Sequence, residues 1–221
     1  MIRPVSPKVV AYHFYKLIPV SFRNQLDIYR KRKYIEESGV IFIHIPKNAG
    51  SGISKSLYGR YFGHYKLSDY VSFFGKDIAS YSILSIYRDP VERFVSSYKY
   101  AAGTGVDRKP SKKARRDVSE CGDINDFVAS IGGIEDLYRL DIIFWPQTYF
   151  LNPRDVERHD VSVFNIDNEQ GYRSFLEEKG FVYSGLHNPS SNSDVDLDEE
   201  SREKIKALYS SDYTLSGLAE K

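Results

Sequence analysis

The sequence predicts an α/β protein in three layers, a central and mostly parallel sheet flanked by helices, and three observations lead there. Short β-branched runs recur at 40–45, 82–87 and 161–166. Each run stops at proline, arginine or a polar turn. Each is followed by apolar residues at helical spacing, and strands that alternate with helices pair in parallel beneath helices on both faces. The 221 residues suffice for one such domain with a sizeable core. Hydrophobic residues at 41% and charged residues at 28% exclude global disorder. The net charge of +1 gives no overall basic field, so nucleic acid is not an expected partner and any anion site has to be local.

Residues 1–39 read as an N-terminal helical extension packed on a domain that spans 40–221. Val9 to Val20 is interrupted by His13, Lys16 and Pro19 and falls short of the ~20 apolar residues that cross a bilayer. It also lacks the apolar run and cleavage site of a secretory signal. Cys121 is the single cysteine, which rules out an internal disulfide and a multi-cysteine zinc site. The expected location is cytoplasmic. Arg30-Lys31-Arg32-Lys33 offers a peripheral contact to the inner membrane face, though a solvated basic helix end is the simpler reading.

Val40 to Ile45 forms the first strand, stopped by Pro46. A turn-rich loop, Lys47 to Gly52, follows, and Ile53 and Leu57 at i and i+4 open a helix. Ser82 to Tyr87 is the second strand, ended by Arg88-Asp89-Pro90, after which Val91, Phe94, Val95 and Tyr98 mark a helix face. Gly103 to Cys121 carries Arg108, Lys109, Lys112, Lys113, Arg115 and Arg116 with few apolar residues and reads as a mobile basic loop. Asp123 to Ser130 reads as a short helix with Ile124, Phe127 and Val128 inward. The third strand is Val161 to Ile166, and Tyr172, Phe175 and Leu176 face inward on the helix that Gly180 ends. Asp196 and Glu199 have capping-box spacing before a last helix that buries Ile205, Leu208 and Tyr209.

In a parallel sheet, ligands bind beyond the carboxyl ends of the strands, where a loop feeds a helix N-terminus whose free N–H groups favour anions. Lys47 to Ser51 sits there. Gly50 and Gly52 are expected at positive φ against a phosphate, with Ser51 and Ser54 as hydroxyl donors and Lys47 as the charge. The loop makes the domain P-loop-like without a Walker A pattern: were Lys55-Ser56 its Lys-Ser pair, Ala49 and Ser54 would have to be glycine. Taken alone, it reads equally well as a turn with a surface lysine. Arg88 changes that balance, because at the end of the second strand its planar fork can grip a second phosphate, with Ser96 two helical turns on. Glu92 reads as a solvated helix charge and Tyr98 as a core aromatic.

Together, Ile45-Pro46-Lys47-Asn48-Ala49-Gly50-Ser51-Gly52 and Arg88-Asp89-Pro90 with Arg93, Ser96 and Tyr98 resemble the two signatures that bind 3′-phosphoadenosine-5′-phosphosulfate (PAPS) in the carbohydrate sulfotransferase family that includes heparan 2-O-sulfotransferases. Weaker similarity at Trp145-Pro146-Gln147, His187-Asn188 and 198–209 extends it over most of 40–213. The resemblance implies that Lys47, Asn48, Ala49, Gly50, Ser51, Gly52 and Ile53 hold the 5′-phosphosulfate and that Arg88 and Ser96 hold the 3′-phosphate. It departs at Gly52, where serine or threonine is more usual, and at Ser51, often threonine. Without the anchor of Golgi relatives, the chain is more similar to small bacterial members associated with surface polysaccharides. The implied reaction moves a sulfuryl group from PAPS to a carbohydrate hydroxyl and leaves 3′-phosphoadenosine 5′-phosphate (PAP), with no metal.

Such an in-line displacement builds charge on the leaving phosphate oxygen, a task for Lys47. The acceptor hydroxyl needs a base, and a neutral imidazole suits it. His64, in Gly63-His64-Tyr65, resembles the Gly-His element that supplies the base in related sulfotransferases, with His187 as runner-up. His44 reads as a core or subsite residue, His13 and His159 as surface positions, and Asp69 as solvated unless it orients a histidine. The basic stretch Arg108 to Arg116 is placed to steer an acidic glycan if it is more than a solvated loop. Two other readings share these loops: a non-catalytic protein that binds PAPS or a sulfated glycan, and a P-loop nucleotide kinase.

Overall fold

The computed structural model of the protein describes residues 18–103, 110–183, 185 and 195–219. It shows an α/β fold with a three-stranded parallel sheet, order β1-β2-β3, flanked by helices. β1 (Val40–Ile43) pairs with β2 (Ser82–Tyr87) from Val40↔Ser82 to Ile43↔Ser85, and β2 pairs with β3 (Val161–Asn165) from Ile83↔Val161 to Tyr87↔Asn165. Every residue of β1 is buried, as its unbroken β-branched and aromatic run requires. Side chains cover part of the outer edge of β1, Tyr58 foremost among them. Tyr58 Oη accepts from Phe42 N at 2.9 Å and donates to Val40 O at 3.0 Å, which occupies ladder groups that would otherwise be open to another strand.

Before β1 runs α1 (Val20–Ser38), a 19-residue helix that buries Ile28 and Ile35 and stops at Gly39 in the left-handed conformation. Its basic run is largely neutralised locally. Arg30 pairs with Asp27, Arg32 with Glu36 and Lys33 with Glu37, while Lys31 reaches inward to Phe62 O at 2.7 Å and Tyr65 Oη. No helix among the described residues is long and apolar enough to cross a membrane. Each strand then feeds a helix: β1 leads to α2 (Gly50–Tyr58), followed by α3 (Leu67–Phe74), and β2 leads to α4 (Pro90–Ala102). Asp69 is buried and neither solvated nor set against a histidine: its carboxylate accepts from Lys66 N and from Asn24 Nδ2, so it anchors α3 to α1.

The basic stretch is not wholly a loop. Residues 112–119 form α5 (Lys112–Ser119), because Ser111 Oγ accepts from Ala114 N at 2.9 Å and caps it, and Ala114 and Val118 at i, i+4 supply a buried stripe. Arg108 and Lys109 lie outside the described residues. α5, α6 (Ile124–Ser130), α7 (Ile134–Leu137) and α10 (Glu199–Leu208) build a second apolar cluster on α4, centred on Phe94, Phe127, Phe144 and Tyr209. The cap of α10 is Asp198, bonded to Ser201 N, two residues later than the Asp196 expected from spacing. Between them in sequence, α8 (Pro153–Arg158) precedes β3, and α9 (Glu169–Glu178) follows it and ends before Gly180 at φ 84; α11 (Tyr213–Ser216) completes the described elements.

Arg93 joins the two clusters from the interior. Fully buried, it donates to Ile143 O at 3.1 Å and Trp145 O at 2.8 Å, and lies 3.9 Å from the Asp212 carboxylate. Asp212 in turn accepts from Gln147 N and Thr148 N. Arg93→Leu takes the facing cation from a fully buried carboxylate and a donor from Trp145 O, so denaturant unfolding is expected to show a loss of about 3 kcal/mol or more. A loss under about 1 kcal/mol would show that the linkage is idle, since that is the range of an exposed pair.

Candidate functional site

At the carboxyl edge of the sheet, β1 ends at Ile43 and the chain turns through 46–49 into α2. Two non-glycine residues in this turn are left-handed, Lys47 at φ 70 and Ala49 at φ 57. Each such residue costs about 1–2 kcal/mol, so the turn needs neighbours that hold it. Asn48 supplies them. Its buried amide donates to Ile86 O and to Gln147 Oε1, both at 2.7 Å. Gln147 donates from Nε2 to Arg88 O at 2.8 Å and accepts from Arg88 N at 3.2 Å. Arg88 Nη1 closes the ring by donating to Lys47 O at 3.2 Å.

Arg88 is set by the start of α4. Asp89 Oδ1 caps the helix by accepting from Val91 N and Glu92 N, and Pro90 occupies its first position. This stops β2 at Tyr87 and leaves Arg88 at the strand end beside the first loop. Lys47 and Arg88 are thereby brought together. Burial, and then the neighbouring guanidinium, push the Lys47 ammonium down to about 8, with its Nζ 4.4 Å from the centroid of Tyr100. Burial also lowers Arg88, whose Nε is buried without a hydrogen-bond partner. Glu92, 3.6 Å from that Nε and 57% exposed, is a weak counter-charge. Two crowded cations beside a helix start are an arrangement that can hold an anion of more than one charge.

The remaining loop residues divide by what they touch. Gly50 and Gly52 are helical, not at positive φ, and their lack of a side chain serves packing instead. A Cβ on Gly50 would stand 2.1 Å from His44 Cδ2, and one on Gly52 would stand 2.9 Å from Gly185 O and 3.3 Å from Tyr183 Cε2. Ser51 lies half-buried in the first turn of α2. Ser54 spends its hydroxyl on Arg60 O, and the Ile53 side chain belongs to the core, so neither side chain reaches the loop mouth. Ser96 is buried on α4, two turns beyond Arg88. Tyr172 and Tyr183 add two hydroxyls that interact with each other, the second beside Gly52. Only their number pointed to such rings in the sequence.

His64 lies next to this loop through His44. The two imidazole centroids are 4.3 Å apart, and the His44 ring is the one that rests on Gly50. His64 Nδ1 is 2.7 Å from the carbonyl oxygen of His44. A carbonyl only accepts, so Nδ1 carries the proton and Nε2 keeps its lone pair. Nε2 meets Tyr61 Oη at 2.7 Å. Burial lowers the pKa of His64, and burial with the neighbouring His64 lowers His44 well below its usual value. Both rings are therefore neutral near pH 7. Tyr61 went unread in the sequence; its one signal there is a place three residues before His64.

His13 and His187 lie outside the described residues. His159 sits at the opposite edge of the sheet, in a cleft of 410 Å³ with Arg158, Tyr81 and Lys179 at the amino ends of β2 and β3. Gly50→Ala should displace the His44 ring and destabilise the protein by about 1–3 kcal/mol, the range for an overpacked core. Thermal unfolding measures it, and an unchanged midpoint would mean that His44 does not rest on Gly50.

No family model matches the chain, and no curated protein matches it. Among solved structures, a sulfotransferase from Alicyclobacillus acidocaldarius aligns with 88% of this chain and 91% of its own at 14% identity, with a TM-score of 0.37. An overlap that loose does not bear on the chemistry, which rests on the geometry of the two loops.

Proposed function

We propose that the protein is a PAPS-dependent sulfotransferase that transfers the sulfuryl group to a carbohydrate hydroxyl by in-line displacement. The observation that carries this reading is the convergence of Lys47 and Arg88, two enclosed and under-neutralised cations, at the start of α2. An adenosine bearing phosphate at both 3′ and 5′ positions suits paired cations on two successive strand–helix loops. The first-loop N–H groups and Ser51 bind the 5′-phosphosulfate, and Arg88, with Ser96, takes the 3′-phosphate. Lys47 stabilises the charge that grows on the leaving oxygen.

His64 favours an enzyme over a binding protein built on the same loops. A neutral imidazole with its tautomer held by the His44 carbonyl, and its lone pair on Nε2, is prepared to take a proton. Nothing in anion binding alone calls for that arrangement. No step of the scheme requires a metal. The acceptor is proposed to be an oligo- or polysaccharide, and the setting cytoplasmic, at or near the inner membrane face.

Transfer of label from ³⁵S-PAPS to a panel of surface oligosaccharides, run beside PAP titrations, tests the reading. Lys47→Ala is expected to lower turnover by about 10²-fold or more, and His64→Ala to abolish it while PAP still binds. Failure to bind PAP would sink the proposal. The pH dependence has a definite sign: free Lys47 loses its proton as pH rises through about 8, so PAP affinity should fall above that pH. Affinity that stays level from pH 7 to about 9.5 would remove Lys47 from the site.

A further inference from the structure

We infer that Tyr61 is a proton relay between the acceptor hydroxyl and His64, an inference that rests on the transfer reaction proposed above. The argument begins with the tautomer. In the neutral ring, with His64 Nδ1 donating to His44 O, the 2.7 Å contact at Nε2 has Tyr61 Oη as its donor. The lone pair of the base is thus already filled, and by a group able to pass on what it receives. Tyr61 is 43% exposed whereas His44 is 4% exposed. Its ring stands edge-on to both imidazoles, with centroids 5.5 Å from His44 and 5.7 Å from His64. On its other sides His64 meets His44 and Phe150, with Asp141 acting on it at longer range. The phenol is the solvent-side member of the cluster.

A phenolic oxygen that donates to Nε2 still has lone pairs with which to accept from a sugar hydroxyl, and a chain of such bonds polarises each member. In the transfer step the acceptor oxygen forms its bond to sulfur while the bond from sulfur to the 5′-phosphate oxygen breaks, and that electron pair stays on the phosphate oxygen beside Lys47. The acceptor proton passes to Tyr61 Oη as the Tyr61 proton passes to His64 Nε2. Tyr61 ends neutral, His64 ends as imidazolium, and the products are the sulfate ester and PAP. A direct attack on Nε2 would instead require the acceptor to push the phenol aside.

Tyr61→Phe in the full chain separates these cases, because it keeps the ring and removes only the hydroxyl. Two readouts are taken: the His64 titration followed by NMR, and the transfer kinetics with labelled PAPS. A phenol that donates to Nε2 favours the neutral imidazole, so its loss should raise the His64 midpoint. The relay further requires kcat to fall on the order of 10²-fold with KM for the acceptor nearly unchanged. An unmoved midpoint would show that the contact is not made, and an unchanged or increased kcat would show that Tyr61 is a plug the acceptor displaces; either overturns the relay. If the midpoint moves but the unaltered protein transfers no label to any acceptor, the contact is real and the proposed reaction is wrong, and the relay falls with it.

Discussion

The buried amide of Gln147 is the constraint on which the carboxyl edge of the sheet depends. Its oxygen accepts from Asn48 of the first loop and from Arg88 N of the second, and its Nε2 donates a hydrogen bond to Arg88 O. Its own backbone N–H is held by Asp212, the carboxylate that Arg93 faces across the core. Two loops that each follow a different strand are thereby locked to one point. Lys47 and Ala49 are left-handed without being glycine, and the bonds made by Asn48 and Arg88 offset the cost of that conformation.

Electrostatic preparation follows from this rigidity. Lys47 and Arg88 repel each other, and burial deprives both of water, so each is less willing to carry its charge than it would be in solvent. A dianion held between them, as proposed, would offset the repulsion. Cations perturbed in this way are a pattern that accords with perturbed groups gathering at functional positions. His44 makes the parallel link to the candidate base: its ring lies on Gly50 at the loop, and its carbonyl sets the tautomer of His64.

Several of these relations were legible in the chain itself. The three strands, the Asp89-Pro90 helix start and the stripe of Ile124, Phe127 and Val128 all follow from local spacing, since residues at period 2 or 3.6 share a face wherever the element lies. α5 was obscured because six basic residues outweighed the modest signals of Ser111, Ala114 and Val118. Gly50 and Gly52 were expected at positive φ and are helical, with close neighbours in place of an unusual backbone. Glycine signals either an unusual φ or a close approach, and composition does not separate the two.

What the sequence by itself determined is the alternation of strand and helix, and with it the placement of Lys47 and Arg88 just beyond the carboxyl ends of two strands. Tertiary structure alone decided which groups meet. Asn48 and Gln147 are 99 residues apart, and Arg93 shows nothing in its sequence neighbourhood to mark it as fully buried against Asp212. His44, His64 and Tyr61 likewise form a unit only because the end of β1 and the segment after α2 fold side by side. The physical reason is that local patterns fix which way a side chain faces relative to its own element, while a hydrogen bond demands a partner within about 3 Å, and that partner is chosen by how the elements pack.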